Sequence, residues 1–221
     1  EESFPAVSDI HCSIHYTGFV AQSLSVEPVS TLEDIADLSR NQPMILVSVG
    51  GGQLGHDLLE ATVAASPILA ERLPQHHPQV FTGPFIPEEK LRSLGKAAIG
   101  QTNLTLRKFT PQLLAYMQKA HLSISLGGYN TTMNLLRTEV NSIILPSNKD
   151  WEQTVRAEKL EKMGVLDLLH PEDLQPKQLA DKIIQAVEKR SRANPFQPLD
   201  LNGAEKTRSL LQALLEQPVA A

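Results

Sequence analysis

The residues from Met44 to Val49 form a run that is apolar at every position except Ser48, and the run leads directly into Gly50-Gly51-Gly52. Strands that are buried on both faces have this near-continuous apolar character, and they occur in parallel sheets whose faces are covered by helices. The run therefore predicts a buried strand of a parallel α/β sheet, followed by a glycine-rich turn.

An alternation of predicted strands and helices continues from this strand to about residue 189. Further strands are predicted at 79–82, 104–108, 122–126, 142–145 and 165–169, and helices at 56–73, 88–99, from Pro111, and at 130–137, 151–163 and 178–189. Strands that alternate with helices in this way indicate βαβ units and a mostly parallel, doubly wound α/β sheet. Pro67 is expected to kink or split the first of these helices, because proline has no N–H to donate.

The predicted sheet divides the chain into three parts. Residues 1–42 form an N-terminal segment with a short strand at 13–20, residues 43–190 form one doubly wound domain, and residues 191–221 form a linker and a C-terminal helix at 204–216. The chain opens on Glu1 and has no methionine before Met44, which indicates a piece of a longer protein.

Composition argues against several classes of function. The chain has 25 acidic and 20 basic residues, and its net charge of −5 argues against a general nucleic-acid binder. No run approaches about 18 apolar residues, so no membrane span is predicted. The single cysteine, Cys12, allows neither an internal disulfide nor a cysteine-based zinc site, which fits a reducing, cytoplasmic location. The seven histidines show no metal-ligand spacing, and no metal is expected.

The turn after the first strand has the spacing of a dinucleotide-binding fingerprint, with Gly50, Gly52 and Gly55 as its glycines. That fingerprint also needs an acidic residue about 20 positions further on, at the end of the second strand, and Glu71 instead falls inside a predicted helix. The turn is therefore a phosphate-approaching loop of another kind or a purely structural tight turn. We expect it to lie at the surface, so that Gly52 can be replaced with little loss of stability.

Two further motifs follow later strands of the predicted sheet. Gly127-Gly128 ends a strand and leads into Tyr129-Asn130-Thr131, and Glu152-Gln153 opens the helix that follows the next strand. The carboxyl ends of parallel strands share one edge of a sheet, where ligands bind in open α/β folds. Carboxylate and amide side chains there are suited to sugar hydroxyls. The structural alternatives are that Asn130 caps a helix and that Glu152 complements a helix dipole.

Taken together, these motifs resemble the C-terminal half of the GT-B glycosyltransferases, from about Tyr16-Thr17-Gly18 to about residue 190. Within that fold the chain is similar to the group of the lipid II-forming UDP-N-acetylglucosamine transferase. It is most similar to a set of predicted glycosyltransferases with Gly-Gly-Tyr-Asn-Thr in the second loop and Glu-Gln-x-x-Arg-Ala-x-x-Leu in the third motif, as at 127–131 and 152–160 here.

The resemblance implies a Rossmann-like domain that holds a nucleotide-sugar donor, a UDP-sugar in the lipid II-forming group, from which a hexosyl group is transferred to an acceptor. Loop amides and helix dipoles would stabilise the charge of the leaving diphosphate without a metal. The acceptor, the catalytic base and any peripheral contact with a membrane would belong to an N-terminal domain outside these 221 residues. This chain alone is therefore expected to be inactive, and none of its residues is named as catalytic.

The resemblance also assigns donor contacts position by position. They are, for the diphosphate, Gly50, Gly51, Gly52 and Gln53 with Gly127, Gly128, Tyr129, Asn130 and Thr131; for the base, Lys108, Phe109, Thr110 and Leu113; and for the transferred sugar, Glu152 and Gln153. One position departs from the family. The lipid II-forming enzyme has a glutamate that holds the ribose hydroxyls where this chain has Asn134, and an amide lacks the strength of a charge-assisted hydrogen bond.

Two other functions remain open at this level. A UDP-sugar 2-epimerase has the same two-domain architecture but needs acid and base side chains in the cleft, for which the loops offer little besides Glu152. A non-catalytic nucleotide-sugar-binding module is the second alternative, because Asn134 replaces the glutamate that grips the ribose.

Overall fold

Residues 5–24, 31–147, 150–189 and 199–216 are described by the computed structural model. The strands of these residues are β1 (Met44–Ser48), β2 (His77–Phe81), β3 (Thr105–Arg107), β4 (Ala120–Leu126), β5 (Ser142–Leu145) and β6 (Asp167–Leu168). They form one sheet in the order β3-β2-β1-β4-β5-β6, and every pair is parallel. This is the strand order of the Rossmann fold. The predicted doubly wound parallel sheet is confirmed.

Eight α-helices accompany the sheet in the described residues. They are α1 (Leu32–Leu38), α2 (His56–Arg72), α3 (Glu88–Ala97), α4 (Leu113–Lys119), α5 (Tyr129–Thr138), α6 (Trp151–Lys162), α7 (Pro176–Glu188) and α8 (Gly203–Leu215), with short 3-10 turns at Pro5–Asp9 and Pro171–Leu174.

The sheet is buried on both faces, as the apolar run in β1 predicts. On one face Ile45 and Val47 pack with side chains of α2, α3 and α7. On the other face Leu46 packs with side chains of α4, α5 and α6. All five residues of β1 are buried, so the hydrophobic effect acts on both sides of this strand and fixes it at the centre of the fold.

Several predicted elements differ from the observed ones. Residues 13–19 form no strand, and Val20 makes only an isolated antiparallel bridge to Asn202. The helix predicted from Pro111 begins at Leu113, because the Thr110 hydroxyl accepts the N–H of Gln112 and holds the chain in a turn. The last strand is two residues long, and α1 was not predicted.

Pro67 does not split its helix as one alternative predicted, because α2 runs through it. Proline leaves the carbonyl of Val63, one turn earlier, without its usual helical donor. The side chain of Gln101 supplies the missing bond, since its Nε2 donates to the Val63 oxygen at 3.2 Å and to the Ala97 oxygen at 2.9 Å. A side chain that follows the next helix thus stabilises α2 at its proline.

The N-terminal segment and the residues before α8 cross each other at two glycines. The N–H of Phe19 donates to the Asp200 oxygen at 2.8 Å, and the N–H of Gly203 donates to the Phe19 oxygen at 2.9 Å. A Cβ built on Gly203 would lie 2.5 Å from the Gly18 oxygen, and one built on Gly18 would lie 2.9 Å from Asp200. This glycine crossing therefore depends on the absence of two side chains.

A buried charged network fixes α1 against the sheet. Nη1 of Arg107, at the end of β3, donates to Asp34 at 2.9 Å, to Asp37 at 3.0 Å and to the Tyr116 hydroxyl at 2.7 Å. The Tyr116 hydroxyl also donates to Asp34 at 2.9 Å. Both aspartates are buried. Removal of one partner from such a network leaves a buried charge without compensation, which strongly destabilises the fold.

The pKa of Asp34 is set by opposing effects. Burial raises it, but hydrogen bonds from Thr31, Thr110, Tyr116 and Arg107 together outweigh burial, so the pKa lies below its usual value of 3.8. A carboxyl group whose pKa is lowered by folding stabilises the protein above its unfolded pKa, and this stabilisation is lost as the pH falls through the folded pKa.

We expect Asp34→Asn to lower the free energy of unfolding at pH 7 by about 2 kcal/mol, because hydrogen bonds to a charged group are replaced by weaker ones. The difference from the parent should begin to shrink below about pH 4 and should vanish as the pH falls through the lowered pKa of Asp34, where the parent loses the same charge. Urea unfolding at pH 7 and pH 3 measures both values. Glu158→Gln, which alters an exposed carboxylate on α6, is the control. A difference that stays constant with pH would contradict the assigned role of the charge.

Candidate functional site

The sheet has a topological switch point between β1 and β4. From β1 the chain passes to α2 on one face, and from β4 it passes to α5 on the other. Ser48 and Ser125 are partners in the parallel pairing, so the two strands end at a similar level. The two connections therefore diverge and leave a crevice at the carboxyl edge, the usual location of ligands in such sheets.

Both glycine-rich motifs lie at this crevice. Residues 50–55, here called the first glycine loop, join β1 to α2, and Gly127 and Gly128, here called the second glycine loop, join β4 to α5. The structure thus brings together two predicted loops that are more than 70 positions apart in the chain.

In the first glycine loop, Gly52 is buried and contacts the connection that follows β2. A Cβ built on Gly52 would lie 2.4 Å from the backbone oxygen of Thr82, and one built on Gly83 would lie 2.4 Å from the nitrogen of Gly52. The N–H of Phe85 also donates to the Gly51 oxygen at 2.8 Å. The expectation that Gly52 can be replaced with little loss of stability is wrong, because two backbones touch at this point.

Other glycines of the two loops are open. A Cβ on Gly50 or on Gly128 would have no heavy atom within 4 Å. The helices that follow, α2 and α5, have Gly55 and Gly128 at their N-caps and no capping bond from a side chain. The first-turn N–H groups therefore have no partner from the N-cap side chain, an arrangement that favours anions. Gln53 is exposed beside them.

The third motif lies against the second glycine loop. A Cβ built on Gly127 would be 3.6 Å from Oε1 of Gln153, the predicted sugar-contacting amide. Asp150 caps α6 by accepting the Gln153 backbone N–H at 3.2 Å, and its other oxygen accepts the Gln153 side chain at 2.8 Å. Glu152 is exposed and pairs with Arg156 at 2.6 Å. Residues 148 and 149, which precede this helix, lie outside the described residues.

Two predicted donor contacts bond to the N-terminal segment. The Tyr129 hydroxyl accepts the N–H of Val20 at 3.0 Å, and Nδ2 of Asn134 donates to Oε1 of Gln22 at 3.1 Å. Asn130 and Thr131 lie between them in the first turn of α5. The alternative that Asn130 caps this helix is wrong, because the N-cap is Gly128.

The predicted base-contacting stretch follows β3. Lys108 and Phe109 are exposed, Thr110 is buried, and Leu113 is the first residue of α4. The Thr110 hydroxyl donates to Asp34 at 2.9 Å, so the buried network described above holds this stretch in place.

Sequence reasoning missed three residues at the site. Asp34 fixes Thr110, and a ring nitrogen of His56 lies 2.9 Å from the Gly52 oxygen in the first glycine loop. Arg156 contacts the second glycine loop, where its Nη2 donates to the Gly127 oxygen at 3.1 Å. Only Arg156 belongs to a motif that could have indicated it.

Other titratable groups meet at the opposite edge of the sheet. Nε2 of His76 lies 2.9 Å from Nδ1 of His121, just before β2 and near the start of β4. Burial, together with the neighbouring His121, lowers the pKa of His76. Within the described residues no group of three or more His, Cys, Asp or Glu side chains is arranged to hold a metal ion.

Residues 44–212 match the sequence profile of the glycosyltransferase family 28 C-terminal domain, and this match covers most of the chain. The chain belongs to this family. The family 28 domain begins at the first residue of β1 and extends into α8, so it includes both glycine loops and the third motif. The predicted membership of the GT-B donor-binding halves is confirmed.

Known proteins agree with this assignment. An uncharacterized glycosyltransferase of Methanopyrus kandleri, MK0977, is 27% identical over 175 residues, which are 78% of this chain and 46% of that protein. The chain thus spans about half the length of this relative.

Among solved structures, glycosyltransferase VinC in complex with dTDP matches with a TM-score of 0.58 at 17% identity, over 81% of this chain and 43% of that one. MurG of Acinetobacter baumannii matches with a TM-score of 0.57 at 18% identity, over 80% of this chain and 52% of the MurG chain. At these identities the likeness shows the fold.

Within the part of the chain that the structure describes, no helix combines the length and the apolar character needed to cross a membrane.

Replacing glycines of the first loop should separate backbone strain from backbone contact. Gly50 and Gly52 both have a positive φ, 64° and 86°, but an added Cβ would meet another backbone only at Gly52. We expect Gly50→Ala to lower the free energy of unfolding by about 1–2 kcal/mol, the cost of a left-handed alanine. Gly52→Ala should lower it by about 2 kcal/mol more, since overpacking is added to the same strain. Urea unfolding of the two variants decides the matter, and equal losses would mean that the contact with Thr82 is not tight.

Proposed function

We propose that this chain is the donor-binding half of a glycosyltransferase that transfers a hexosyl group from a nucleotide sugar, with UDP as the expected nucleotide. The observation that carries the proposal is the meeting, at the β1–β4 switch point, of two glycine loops that each contain an open glycine and of two helix N-termini that have no side-chain cap. Membership of family 28 supports the reaction class.

The diphosphate would lie between the two glycine loops. Gly50 and Gly128 leave room for an oxygen to approach the backbone, and Gly51 and Gln53 lie beside them. The first-turn N–H groups and the positive ends of α2 and α5 would stabilise negative charge. This charge grows as the bond between the sugar and the diphosphate breaks, so the same groups would favour the transition state without a metal.

The sugar and the base would lie on either side of the diphosphate. Gln153, held by Asp150, and Glu152, held by Arg156, offer an amide and a carboxylate to the sugar hydroxyls. The backbone of 108–110 would contact the base, and the bond from Thr110 to Asp34 keeps that stretch in one conformation. Preorganised contacts of this kind strengthen binding because less conformational freedom is lost.

The acceptor and the catalytic base would come from an N-terminal partner domain of the same protein. Support for this comes from the length of the relative MK0977, of which the chain matches 46%. The exposed apolar side chains of Leu211, Leu214 and Leu215 on α8 are available to pack against such a domain. The single cysteine, Cys12, is exposed and free, which fits a cytoplasmic protein.

A binding screen tests the donor assignment. We expect one class among UDP-, GDP-, dTDP- and ADP-sugars, with UDP-sugars first, to raise the melting temperature of the 221-residue chain. A ligand at 100 times its Kd that binds only the folded state stabilises it by about 2.7 kcal/mol. Gly128→Ala should weaken binding by about tenfold, or 1.4 kcal/mol, because its Cβ enters the space of the diphosphate. Its melting temperature without ligand should stay close to that of the parent, because no heavy atom lies near that Cβ.

Gly95→Ala is the matched control for this screen. Gly95 lies in α3, and an added Cβ there would also have no heavy atom within 4 Å, but Gly95 belongs to neither glycine loop. It should bind as the parent does. Absence of binding by every nucleotide sugar would refute the donor assignment, and normal binding by Gly128→Ala would refute the position of the diphosphate. Binding without transfer by the complete protein would favour a non-catalytic module, and inversion at C2 of a UDP-sugar would favour the epimerase.

The role of Asn134 is tested by restoring a carboxylate. Hydrogen bonds to charged groups contribute about 1.5–3 kcal/mol and neutral ones about 0.5–1.5, so Asn134→Glu should tighten binding of UDP by about 1 kcal/mol, or fivefold. The ribose would take the place of Gln22, which Asn134 contacts at 3.1 Å. Calorimetric titration with UDP and with uridine measures the change, and uridine removes repulsion from the diphosphate. Unchanged affinity for both would show that Asn134 does not face the ribose.

A further inference from the structure

One guanidinium group joins three parts of the candidate site. Arg156 lies on α6, and 10% of its side chain is exposed. Its Nη1 pairs with Oε1 of Glu152 at 2.6 Å, and its Nη2 donates to the Gly127 oxygen at 3.1 Å. Its Cζ lies 5.5 Å from the centre of the Tyr129 ring. The three partners belong to α6, to the second glycine loop and to the start of α5.

Arginine is suited to this position by its shape. The guanidinium is planar and carries its N–H donors in a fixed fork, so that it can bond to a carboxylate and a carbonyl and lie over an aromatic ring at the same time. The ammonium of a lysine is a single point and cannot make the same three contacts in one geometry. The contacts therefore fix Glu152 and Gly127 relative to one another.

The arrangement is poor as a purely stabilising device. Glu152 is 65% exposed, and ion pairs with an exposed partner contribute little to stability. Nε of Arg156 is buried and has no hydrogen-bond partner within the described residues, which is unfavourable for a buried N–H. An apolar side chain would fill this space at a lower cost, so the orientation of the partners is the better explanation for an arginine here.

We propose that Arg156 is a positioning residue of the donor site: it holds the carboxylate of Glu152 toward the transferred sugar and holds the second glycine loop in place at Gly127. This inference rests on the proposed function, because it assumes that Glu152 contacts the sugar. Arg156 itself acts through Glu152 and Gly127.

A double-mutant cycle tests the link to Glu152. The probes are UDP and UDP-N-acetylglucosamine. The measured quantity is the Kd of UDP divided by the Kd of UDP-N-acetylglucosamine, which isolates the contribution of the sugar to binding. Arg156→Gln and Glu152→Gln should each reduce this ratio about fivefold, and the double variant should reduce it no further, because both changes remove one interaction. Arg72→Gln is the control, since Arg72 pairs with Asp181 at the far end of α2 and should leave the ratio unchanged. Losses that add in the double variant would overturn the link.

Hydrogen exchange provides a readout that needs no ligand. The N–H of Gly127 donates to the Leu145 oxygen at 3.1 Å, and the N–H of Thr132 donates to the Gly128 oxygen at 2.9 Å. Arg156→Gln should speed exchange of both amides about tenfold, while Arg72→Gln should not. If the parent binds neither probe, or both equally, the sugar assignment of the proposed function fails, and exchange alone decides whether Arg156 positions the loop. Unchanged exchange would overturn that role.

Discussion

The pairing of β1 with β4 determines where every other part of this domain lies. β1 is buried on both faces, β2 and β3 extend the sheet from one side of it, and β4, β5 and β6 extend it from the other. Because the chain leaves β1 and β4 toward opposite faces, the backbone separates at that point and no side chain needs to be removed to form a crevice. The contact between Gly52 and Gly83 then holds the first glycine loop, which borders this crevice, against the connection that follows β2.

The sheet could be predicted from sequence because burial on both faces leaves a local signal. The run from 44 to 48 and the strand at 142–145 are apolar over nearly their whole length, and no partner has to be known to recognise them. The network around Arg107 leaves no such signal. Asp34 and Asp37 lie in a segment that also contains Glu33, and this charge pattern is typical of a solvated helix face. Their partner Arg107 lies 73 and 70 positions away, so only the fold reveals that they are buried.

The candidate site shows the same division. Its glycines and the Glu-Gln pair were predicted from their place after buried strands, and the sheet order does bring them to one edge. The roles of single side chains depend on distant partners and could not be predicted. Tyr129 and Asn134 form hydrogen bonds with residues that lie, respectively, 109 and 112 positions earlier in the chain. The space around Gly52 is filled by the connection that follows another strand, β2. These are properties of packing, which a single sequence does not record.

The glycine crossing has a consequence for the order in which this chain folds. Its contacts join residues about as far apart as the chain allows, since Thr17 and Thr207, which bond beside it, are 190 positions apart. Closing so long a loop is entropically costly unless the intervening chain is already compact. We therefore expect the crossing to form after the sheet and to open early in local unfolding. Since Tyr129 bonds to Val20 in the same segment, such an opening would release the start of α5 while the rest of the domain stays folded.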